Sequence, residues 1–581
     1  MNIDKSLKGH EIISRATSTL KTTLQTNRSC SDEATEIIFH QVLSLMVQML
    51  EGPPVEPVFH LAPCDPGTGK TEALCSFLNA WKSLSFQPPA GALIVLATHK
   101  EIKSCISRSG LDPIDYAVLT SDEELNDSGL LAPEAAPVLF TTQEMLRRRC
   151  HGRSFAEADE LHFKGLPRSL RVWDEAFLPA TPKHFRKDTL VQPLEELRLH
   201  TSREAMAPLD SLSDSLRAES IGEVVQVPEA VRHAFTALPG RRKDKGDKWA
   251  DLRLLAGQEA VVSHCNQKGL HLAGAALHIP ADFAPALILD ASGRVRETYK
   301  ALEASGKLKR LADAPVDYSN LRIRHWNRAA SRSALDSDKA RREVLTGIAQ
   351  TINASGLDER WLIVHHKAKD GQGYDILQDL GELVGNPDRL AGIHWGNHHG
   401  TNDYRDIRRV VVLGPWGYSQ PAYSALHVAA EGPLELATDK ETLDSIRRGE
   451  NAHHLLQAIC RASVRQGTGG VCGDCVVLVV GKYGADAQDL FQETFPGAHV
   501  SGWTPAGMEL KGAALKVAQV IQEAFEVPGV LAVPKRDIST ALGWTTTEQL
   551  RRVIIKPDFK AWMAARGLEA SKWAIETCEA A

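Results

Sequence analysis

A glycine-rich run, Pro66-Gly67-Thr68-Gly69-Lys70-Thr71, separates an apolar segment at residues 58–62 from a helix-forming segment that begins at Glu72. A strand, a glycine-rich loop and a helix in this order are the setting in which such a run encloses phosphate groups. The glycines let backbone N–H groups turn inward around phosphate oxygens, and the N-terminus of the following helix adds partial positive charge. The run therefore predicts a nucleotide-binding P-loop formed by Pro66, Gly67, Thr68, Gly69, Lys70 and Thr71.

Two side chains of this run have distinct expected roles. Lys70 is placed to reach the β- and γ-phosphates of a nucleotide, and the hydroxyl of Thr71 is placed to ligate Mg²⁺. The full pattern is G-x-x-x-x-G-K-[ST], and Cys64 stands where the first glycine belongs. The competing interpretation is a plain glycine turn before an ordinary helix, but the otherwise intact run favours a nucleotide site.

A second pattern, Arg171-Val172-Trp173-Asp174-Glu175-Ala176, places two adjacent carboxylates at the end of an apolar strand. Asp174 is expected to hold Mg²⁺, directly or through water, while Glu175 orients and deprotonates the water that attacks the γ-phosphate. An isolated Asp-Glu pair is commonly a solvated loop edge. Its position after a strand, about a hundred residues beyond the P-loop, favours the catalytic interpretation.

Apolar runs with the length of buried strands alternate with helical stretches in two parts of the chain. The predicted strands lie at 92–98, 116–120, 137–141, 171–173, 361–364, 409–414 and 476–481. Strands that alternate with helices indicate parallel sheets that are covered by helices. The sequence therefore predicts an α/β fold class.

Composition narrows the class of protein. The 581 residues are 43% hydrophobic and 24% charged, which is ordinary for a globular chain of about three or four domains. Because the net charge is -6, any nucleic-acid contact must come from a local groove. Ten cysteines without a disulfide-like framework, an N-terminus without an apolar core and only short apolar runs predict a cytoplasmic protein with no membrane partner.

In their order along the chain, these motifs resemble those of the superfamily 1 and 2 helicases and translocases, including the DEAD/DEAH-like ATPases. The P-loop is similar to motif I, and Asp174 opens a run that is similar to motif II. Two strand-to-helix turns, one with Thr98 and one with Thr141, resemble the turns that grip a nucleic-acid backbone in that family. Asp290 and Ser292 lie in a run similar to motif III, which couples hydrolysis to strand contacts.

Two further segments resemble motifs of the second helicase domain. Residues 361–366 are similar to motif IV, and residues 394–406, with Gly400 and Asn402, are similar to motif V. The resemblance implies that the turn at Gly400 and Asn402 contacts phosphate. The candidates for stacking on bases or for phosphate contact are Trp395, His398, His399 and Tyr404, with core packing as the competing interpretation for the tryptophan and the tyrosine.

Gln457, Arg461 and Arg465 resemble motif VI, although Cys460 replaces the usual glycine and the second arginine lies one residue further along than usual. Positions four apart share one face of a helix. We therefore expect both guanidinium groups to face the γ-phosphate from a second domain and to stabilise transition-state charge. The alternative is a surface helix with two solvated arginines.

The resemblance implies that ATP and Mg²⁺ bind between two RecA-like domains, with nucleic acid as a partner and single-stranded DNA expected more than RNA. Lys70, Asp174, Glu175, Arg461 and Arg465 are then the catalytic residues, and closure of the cleft moves the protein along a strand. Two alternatives stay open. One is an ATPase switch that senses nucleic acid or remodels a protein without unwinding, and the other is a DNA-packaging terminase motor.

Composition and resemblance together divide the chain into six segments. They are an N-terminal helical region at 1–54, the first part of RecA-like domain 1 at 55–181, a helical insertion at 182–285, the end of domain 1 at 286–320, RecA-like domain 2 at 321–505 and a C-terminal helical unit at 506–581. The C-terminal unit resembles a helix-turn-helix or winged-helix unit, with helices at 535–541 and 545–555. Arg551, Arg552 and Lys556 are placed there to meet phosphate, although accessory hairpins of this kind also bind protein.

Overall fold

The structure is a computed structural model of the chain. It describes residues 2–27, 29, 32–51, 54–84, 91–186, 203–217, 220–234, 250–265, 269–356, 358–368, 374–396, 403–505, 510, 512–525, 527, 529–564, 566 and 568–577. Within these ranges the strands, in chain order, are β1 (Phe59–Ala62), β2 (Ala92–Leu96), β3 (Tyr116–Leu119), β4 (Val138–Thr142), β5 (Leu170–Asp174), β6 (Ala180–Arg186), β7 (Val224–Gln226), β8 (Glu259–Cys265), β9 (Gly269–Leu277), β10 (Ala286–Leu289), β11 (Leu308–Arg310), β12 (Leu321–Trp326), β13 (Trp361–His365), β14 (Leu390–His394), β15 (Arg409–Leu413), β16 (Cys475–Val480), β17 (His499–Gly502), β18 (Ala532–Pro534), β19 (Leu568–Ala570) and β20 (Ala574–Thr577).

The α-helices of the same ranges also follow in chain order. They are α1 (Asn2–Thr26), α2 (Glu33–Glu51), α3 (Lys70–Ser83), α4 (His99–Ser109), α5 (Glu123–Asn126), α6 (Gln143–Cys150), α7 (Arg203–Arg217), α8 (Val231–Ala234), α9 (Ala250–Leu254), α10 (Glu297–Ala304), α11 (Arg332–Leu335), α12 (Asp338–Asn353), α13 (Ile376–Gly381), α14 (Gln420–Ala429), α15 (Lys440–Ile459), α16 (Ala487–Thr494), α17 (Ala513–Phe525), α18 (Lys535–Ala541), α19 (Thr547–Ile554) and α20 (Pro557–Ala564).

The chain forms two compact units. The first comprises Met1–Pro315 and Gly417–His454, and the second comprises Val316–Trp416 and Leu455–Ala581. The segment 417–454 thus belongs to the first unit, although it lies within the range predicted for RecA-like domain 2. The other predicted segment boundaries stay predictions.

The first unit contains a seven-stranded parallel sheet in the order β11-β1-β10-β5-β2-β4-β3. Its strands are apolar runs because both faces are covered. In β2, for example, Leu93 and Val95 pack into the core on one face, and Ile94 and Leu96 pack into the core on the other. The strand order brings the carboxyl ends of β1, β10 and β5 side by side, and these are the strand ends that carry the P-loop and the Asp-Glu pair.

The described N-terminal residues form the helices α1 and α2. Ile12, Ala16, Leu20 and Leu24 recur every fourth residue of α1, and all four are buried. This stripe lies on one face of the helix, and α1 packs against both α2 and α3. The side chain of Leu24 occupies the space next to Gly69 in the P-loop, so this helix contacts the loop directly.

The prediction of a helical insertion at 182–285 needs correction, because strands accompany its helices. The described part of this segment holds α7, α8 and α9, but also strands of an antiparallel sheet in the order β6-β9-β8-β7. The central strand β9 carries a small-residue run, 273–276, of alanine and glycine, which have low strand propensity. Small residues are needed there because a Cβ at Gly274 would meet Leu255 and Ala260 at 3.1 Å.

The second unit contains a six-stranded parallel sheet in the order β14-β13-β15-β16-β12-β17. Its central strands are buried on both faces, as the apolar runs at 361–364, 409–414 and 476–481 predicted. Each of the two units thus contributes one parallel sheet with helices. This architecture confirms the predicted α/β class with two RecA-like sheets.

The C-terminal part of the second unit combines helices with a small sheet. The predicted helices at 535–541 and 545–555 are present as α18 and α19. In addition, β18, β20 and β19 form a three-stranded antiparallel sheet in that order, with β18 directly before α18. The two helices are followed by α20 and then by the β19–β20 hairpin, an arrangement compatible with the winged-helix alternative of the prediction. Within the ranges described above, none of the helices is long and apolar enough to cross a membrane.

Candidate active site

The P-loop connects the end of β1 to the start of α3. Gly67 and Gly69 have φ angles of 85° and 112°, a region of backbone space that favours glycine. The positive φ angles of the loop fall on these two glycines, whereas Cys64 is buried without such an angle. The replacement of the first glycine of the pattern by Cys64 therefore places no strain on the backbone.

Lys70 lies across this loop. Its Nζ donates hydrogen bonds to the carbonyl oxygens of Cys64 at 2.7 Å and Asp65 at 3.3 Å. The hydroxyl of Thr68 donates to the carbonyl oxygen of Asp65 at 2.8 Å, which closes the turn below the lysine. The ammonium group is thus positioned over the concave side of the loop, where phosphate oxygens bind in a P-loop.

Thr71 and Asp174 come together although 103 residues separate them. The Thr71 hydroxyl donates to Asp174 Oδ2 at 3.2 Å, because β1 and β5 flank β10 and end at the same edge of the sheet. Burial, followed by the negative charge of Glu175, raises the pKa of Asp174 to about 7, against the opposing charge of Lys70. A buried carboxylate beside a hydroxyl and a second carboxylate is a fitting set of oxygen ligands for Mg²⁺. Thr71 and Asp174 are the residues that would hold it.

Glu175 differs from its neighbour in both backbone and exposure. Its φ angle is 74°, which is rare for a residue with a Cβ and costs on the order of 1–3 kcal/mol. The backbone N–H donates to the Leu289 carbonyl oxygen at 3.0 Å, which fixes this turn against β10. Asp174 is buried and Glu175 is partly exposed, so the second carboxylate is the one that can meet a water molecule.

Three polar side chains that the sequence prediction did not assign support this site. Gln143 donates through Nε2 to the backbone oxygen of Asp174 at 2.7 Å. Nη2 of Arg294 donates to both carboxylate oxygens of Asp65 at 3.2 Å, and Asp65 is buried in the P-loop. Gln143 begins a helix directly after a strand, a position that signals proximity to a neighbouring strand end. The pairing of Asp65 with Arg294 has no local sequence signal.

Asp290 and Ser292 form a buried network behind the Asp-Glu pair. The backbone N–H and the hydroxyl of Ser292 donate to Asp290 Oδ1 at 2.9 and 2.8 Å, and the Tyr299 hydroxyl donates to Asp290 Oδ2 at 2.6 Å. The same tyrosine oxygen accepts a hydrogen bond of 2.9 Å from the backbone N–H of Phe177, two residues after Glu175. Because Asp290 and Ser292 are fully buried, they do not contact nucleic acid, and only the predicted coupling role is compatible with their position.

The two predicted backbone-gripping turns differ in accessibility. Thr98 is exposed and caps α4, where its side chain accepts from the backbone of Glu101. Thr141 is fully buried, and its hydroxyl donates to the Leu119 carbonyl oxygen at 2.7 Å. The prediction of a nucleic-acid contact by Thr141 is therefore wrong for its side chain. The helix cap at this turn is the next residue, Thr142.

The motif VI residues lie in the second unit and do not share one helix. Gln457 is in α15, which ends at Ile459, whereas Arg465 is in a separate 3₁₀ turn, Ser463–Arg465. The prediction that Arg461 and Arg465 lie on one helical face is wrong, because the backbone N–H of Ser463 donates to the carbonyl oxygen of Ile407 and draws the chain out of the helix. Arg461 is nevertheless fixed, since its Nη2 donates to the Gln457 amide oxygen at 2.8 Å.

The structure describes only part of the segment that was predicted to resemble motif V. His398, His399, Gly400 and Asn402 lie outside the described residues. Trp395 is buried and donates through Nε1 to the Leu413 carbonyl oxygen at 3.1 Å. Of the two interpretations of this residue, the structure therefore favours core packing over stacking on a base. The Tyr404 hydroxyl is likewise engaged with the protein, as it donates to the Gly392 carbonyl oxygen at 3.2 Å.

Comparison with known proteins gives no family assignment. No protein-family model and no curated protein matches the chain. Among solved structures, the chain is similar to an apo form of XPD, at 14% identity over 77% of this chain and 97% of that chain, with a TM-score of 0.43. It is also similar to Xpd4 of S. tokodaii (13% identity, 80% and 99% covered, TM-score 0.42) and to S. cerevisiae Dbp5 bound to RNA and ADP BeF3 (12% identity, 80% and 89% covered, TM-score 0.33). These similarities are distant, and the fold class rests on the two parallel sheets themselves.

Proposed function

We propose that this protein is an ATP-dependent nucleic-acid helicase or translocase. The observation that carries the proposal is the contact between Thr71 of the P-loop and Asp174 at the end of β5, with Lys70 over the loop and Glu175 next in sequence. Together these groups provide a phosphate ligand, a metal-binding pair and a general base, which is the set that in-line hydrolysis of a γ-phosphate requires.

Each side chain has a defined part in the proposed reaction. Lys70 exchanges the carbonyl oxygens that it contacts for phosphate oxygens of ATP. Mg²⁺, when bound through Thr71 and Asp174, neutralises charge on the phosphates. Glu175 accepts a proton from the attacking water, and its partly exposed position supports this role. Arg461 and Arg465 stabilise the charge that develops on the transferred group.

The nucleic-acid part of the proposal is supported by the C-terminal winged-helix-like unit. The side chains of Arg551 and Arg552 on α19 are 76% and 75% exposed, and Lys556 is exposed beyond the end of that helix. Cationic side chains on an exposed helix are suited to phosphate contacts. Single-stranded DNA is the first partner to test, with RNA as the alternative.

The proposal is tested by ATP hydrolysis with and without single-stranded DNA, duplex DNA and RNA, combined with a strand-displacement assay. We expect stimulation by a single-stranded nucleic acid together with displacement of an annealed strand. Stimulation of ATP hydrolysis without strand displacement would identify the protein as a translocase or an ATPase switch. Hydrolysis that no nucleic acid stimulates would contradict the helicase and translocase proposal.

A further inference from the structure

A cavity of about 410 Å³ lies in the first unit, apart from the P-loop residues. Its walls come from α6, from β6, from α9 and from the residue that follows β9. The cavity thus lies between the inserted antiparallel sheet and helix α6, which follows β4 of the parallel sheet. None of its lining residues belongs to the candidate active site.

The lining of this cavity is strongly cationic. Arg147, Arg148 and Lys183 provide three permanent positive charges, and the rings of His151 and His278 also line the cavity. Glu144 is the one carboxylate among the described lining residues. This excess of positive charge is unlike the molecule as a whole, which has a net charge of -6.

The guanidinium groups of the two cavity arginines have N–H donors that are available to a ligand. Among the described residues, the guanidinium groups of Arg147 and Arg148 have no hydrogen-bond or ion-pair partner within the protein. The guanidinium carbon of Arg147 instead lies 5.3 Å from the centre of the Trp173 ring, which holds the group in place and leaves its N–H donors available. A fixed guanidinium of this kind is well suited to bind phosphate oxygens in a bidentate manner.

The two histidines of the cavity lie close together and next to its cationic side chains. The rings of His151 and His278 lie with their centres 5.4 Å apart. Burial, followed by the charges of His151, Arg147 and Lys183, lowers the pKa of His278 to about 4. Burial also lowers the pKa of Arg147, against the opposing effect of Glu144. A bound anion would relieve this repulsion, because it favours the charged form of every one of these groups.

We propose that this cavity binds phosphate groups, whose oxygens accept hydrogen bonds from Arg147, Arg148 and Lys183. The phosphates belong either to a small polyphosphate ligand or to the backbone of a nucleic-acid strand, since both present the same anionic oxygens. Binding would reach the catalytic region through Arg147, because the ring beneath its guanidinium belongs to Trp173, the residue directly before Asp174. The proposal concerns binding and does not depend on ATP hydrolysis.

The test uses the full chain with the Lys70→Ala substitution, so that phosphate binding at the P-loop is weakened. Inorganic triphosphate is titrated by calorimetry into this protein and into versions that also carry Arg147→Gln and Arg148→Gln. We expect the double substitution to weaken binding at least tenfold. Arg149→Gln is the matched control, because Arg149 is exposed on the same helix but does not line the cavity, and it should change the affinity less than twofold.

Two further variants distinguish a loss of phosphate binding from a loss of folding. Arg148→Gln alone changes an exposed side chain and should weaken binding at least threefold with an unchanged unfolding midpoint. Glu144→Gln removes the carboxylate and should strengthen binding at least twofold, which a loss of folding would not produce. Bound triphosphate should also raise the pKa of His278 from its low value, as followed by NMR of the histidine ring.

The source of the phosphate is resolved by repeating the series with 12-nucleotide single-stranded DNA and RNA, measured by fluorescence anisotropy. If the oligonucleotide affinities fall with the same substitutions and triphosphate competes, the cavity holds the strand backbone. If only triphosphate binding responds, the cavity holds a small polyphosphate. The proposal is overturned if neither ligand responds to the double substitution, or if Arg149→Gln has an equal effect.

Discussion

The hydroxyl of Thr71 lies 3.2 Å from Oδ2 of Asp174 and donates a hydrogen bond to it. Asp174 is the last residue of β5, and Thr71 lies in the first turn of α3, after the loop that follows β1. In the sheet, β10 alone separates β1 from β5. In a parallel sheet the carboxyl ends of neighbouring strands meet at one edge, which is where ligands bind in α/β folds. The sheet order therefore brings together a glycine-rich loop and an acidic pair from distant parts of the sequence.

Substitution of Lys70 and Glu175 should separate nucleotide binding from hydrolysis. Lys70→Ala removes the ammonium group from the loop, so we expect loss of both ATP binding and turnover. Glu175→Gln keeps the size of the side chain but removes the base, so ATP should bind within about threefold of the wild-type affinity while turnover falls about a hundredfold or more. Binding is measured with a fluorescent nucleotide and turnover by phosphate release.

Lys82→Ala is the control for this prediction. Lys82 belongs to the same helix as Lys70, but its ammonium group contacts Asp112 at 2.7 Å, away from the loop. Its loss should leave ATP binding and turnover unchanged. Loss of ATP binding in Glu175→Gln would refute the general-base role.

The raised pKa of Asp174 predicts how the stability of the metal-free protein depends on pH. An aspartate titrates near pH 4 in the unfolded chain and near pH 7 in the folded protein. Between these values the folded state keeps a proton that the unfolded state has lost, so the free energy of unfolding falls as pH rises and levels off above about pH 7. The loss is at most about 4 kcal/mol for a shift of this size.

Asp174→Asn should remove this pH dependence, because the amide does not ionise. The substituted protein should gain stability over the wild type as the pH is raised from about 5 to about 8, measured by urea unfolding in the presence of a chelator. Asp127→Asn, at an exposed position of the same unit, should show no such gain. A difference between Asp174→Asn and wild type that is constant with pH would contradict the assignment.

The sequence was sufficient to predict those parts of the site that local patterns encode. Gly67 and Gly69 reveal the loop because the turn requires positive φ angles, and the apolar run before Asp174 reveals the strand that ends there. The parallel sheets followed from apolar runs that alternate with helices. These features depend on a few adjacent residues, so a single chain is enough to recognise them.

The parts that the sequence did not predict depend on contacts between distant residues. Asp65 and Arg294 are 229 residues apart, and neither lies in a pattern that points to the other. The end of α15 at Ile459 is set by a hydrogen bond from Ser463 to Ile407, a tertiary contact that overrides the helical spacing of the arginines. The antiparallel sheet of the insertion was missed because β9 is built from residues that rarely signal a strand.

The arginines of the second unit should affect turnover more than binding. Arg461→Ala and Arg465→Ala remove charges that, in the proposed reaction, stabilise the transition state only, and losses of about 10³-fold or more are typical of such arginines. ATP binding should change much less. Arg408→Ala, at an exposed position of the same unit, should affect neither quantity. If neither Arg461→Ala nor Arg465→Ala slows hydrolysis, the proposed two-domain site is wrong.

A buried ion pair in the first unit leads to a prediction about stability. Arg296 Nε and Glu450 Oε1 are 2.5 Å apart, and the two side chains are only 8% and 2% exposed. Removing one partner leaves the other charge buried and uncompensated, so Arg296→Met or Glu450→Met alone should lower the free energy of unfolding by about 3–5 kcal/mol. The exposed pair of Arg232 and Glu229 is the control, and Arg232→Met should cost less than about 1 kcal/mol.

The double substitution of the buried pair gives the sharper result. With Arg296→Met and Glu450→Met together, neither charge of this pair is left without its partner, so the double variant should be more stable than either single variant. Urea unfolding of the four proteins yields the coupling energy directly. If the two single losses simply add in the double variant, the side chains do not interact, and the pair contributes to the fold only through the packing of their methylene groups. Recovery in the double variant would instead identify charge compensation as the reason that a carboxylate is buried on α15, since Met at both positions retains the apolar volume while it removes both charges.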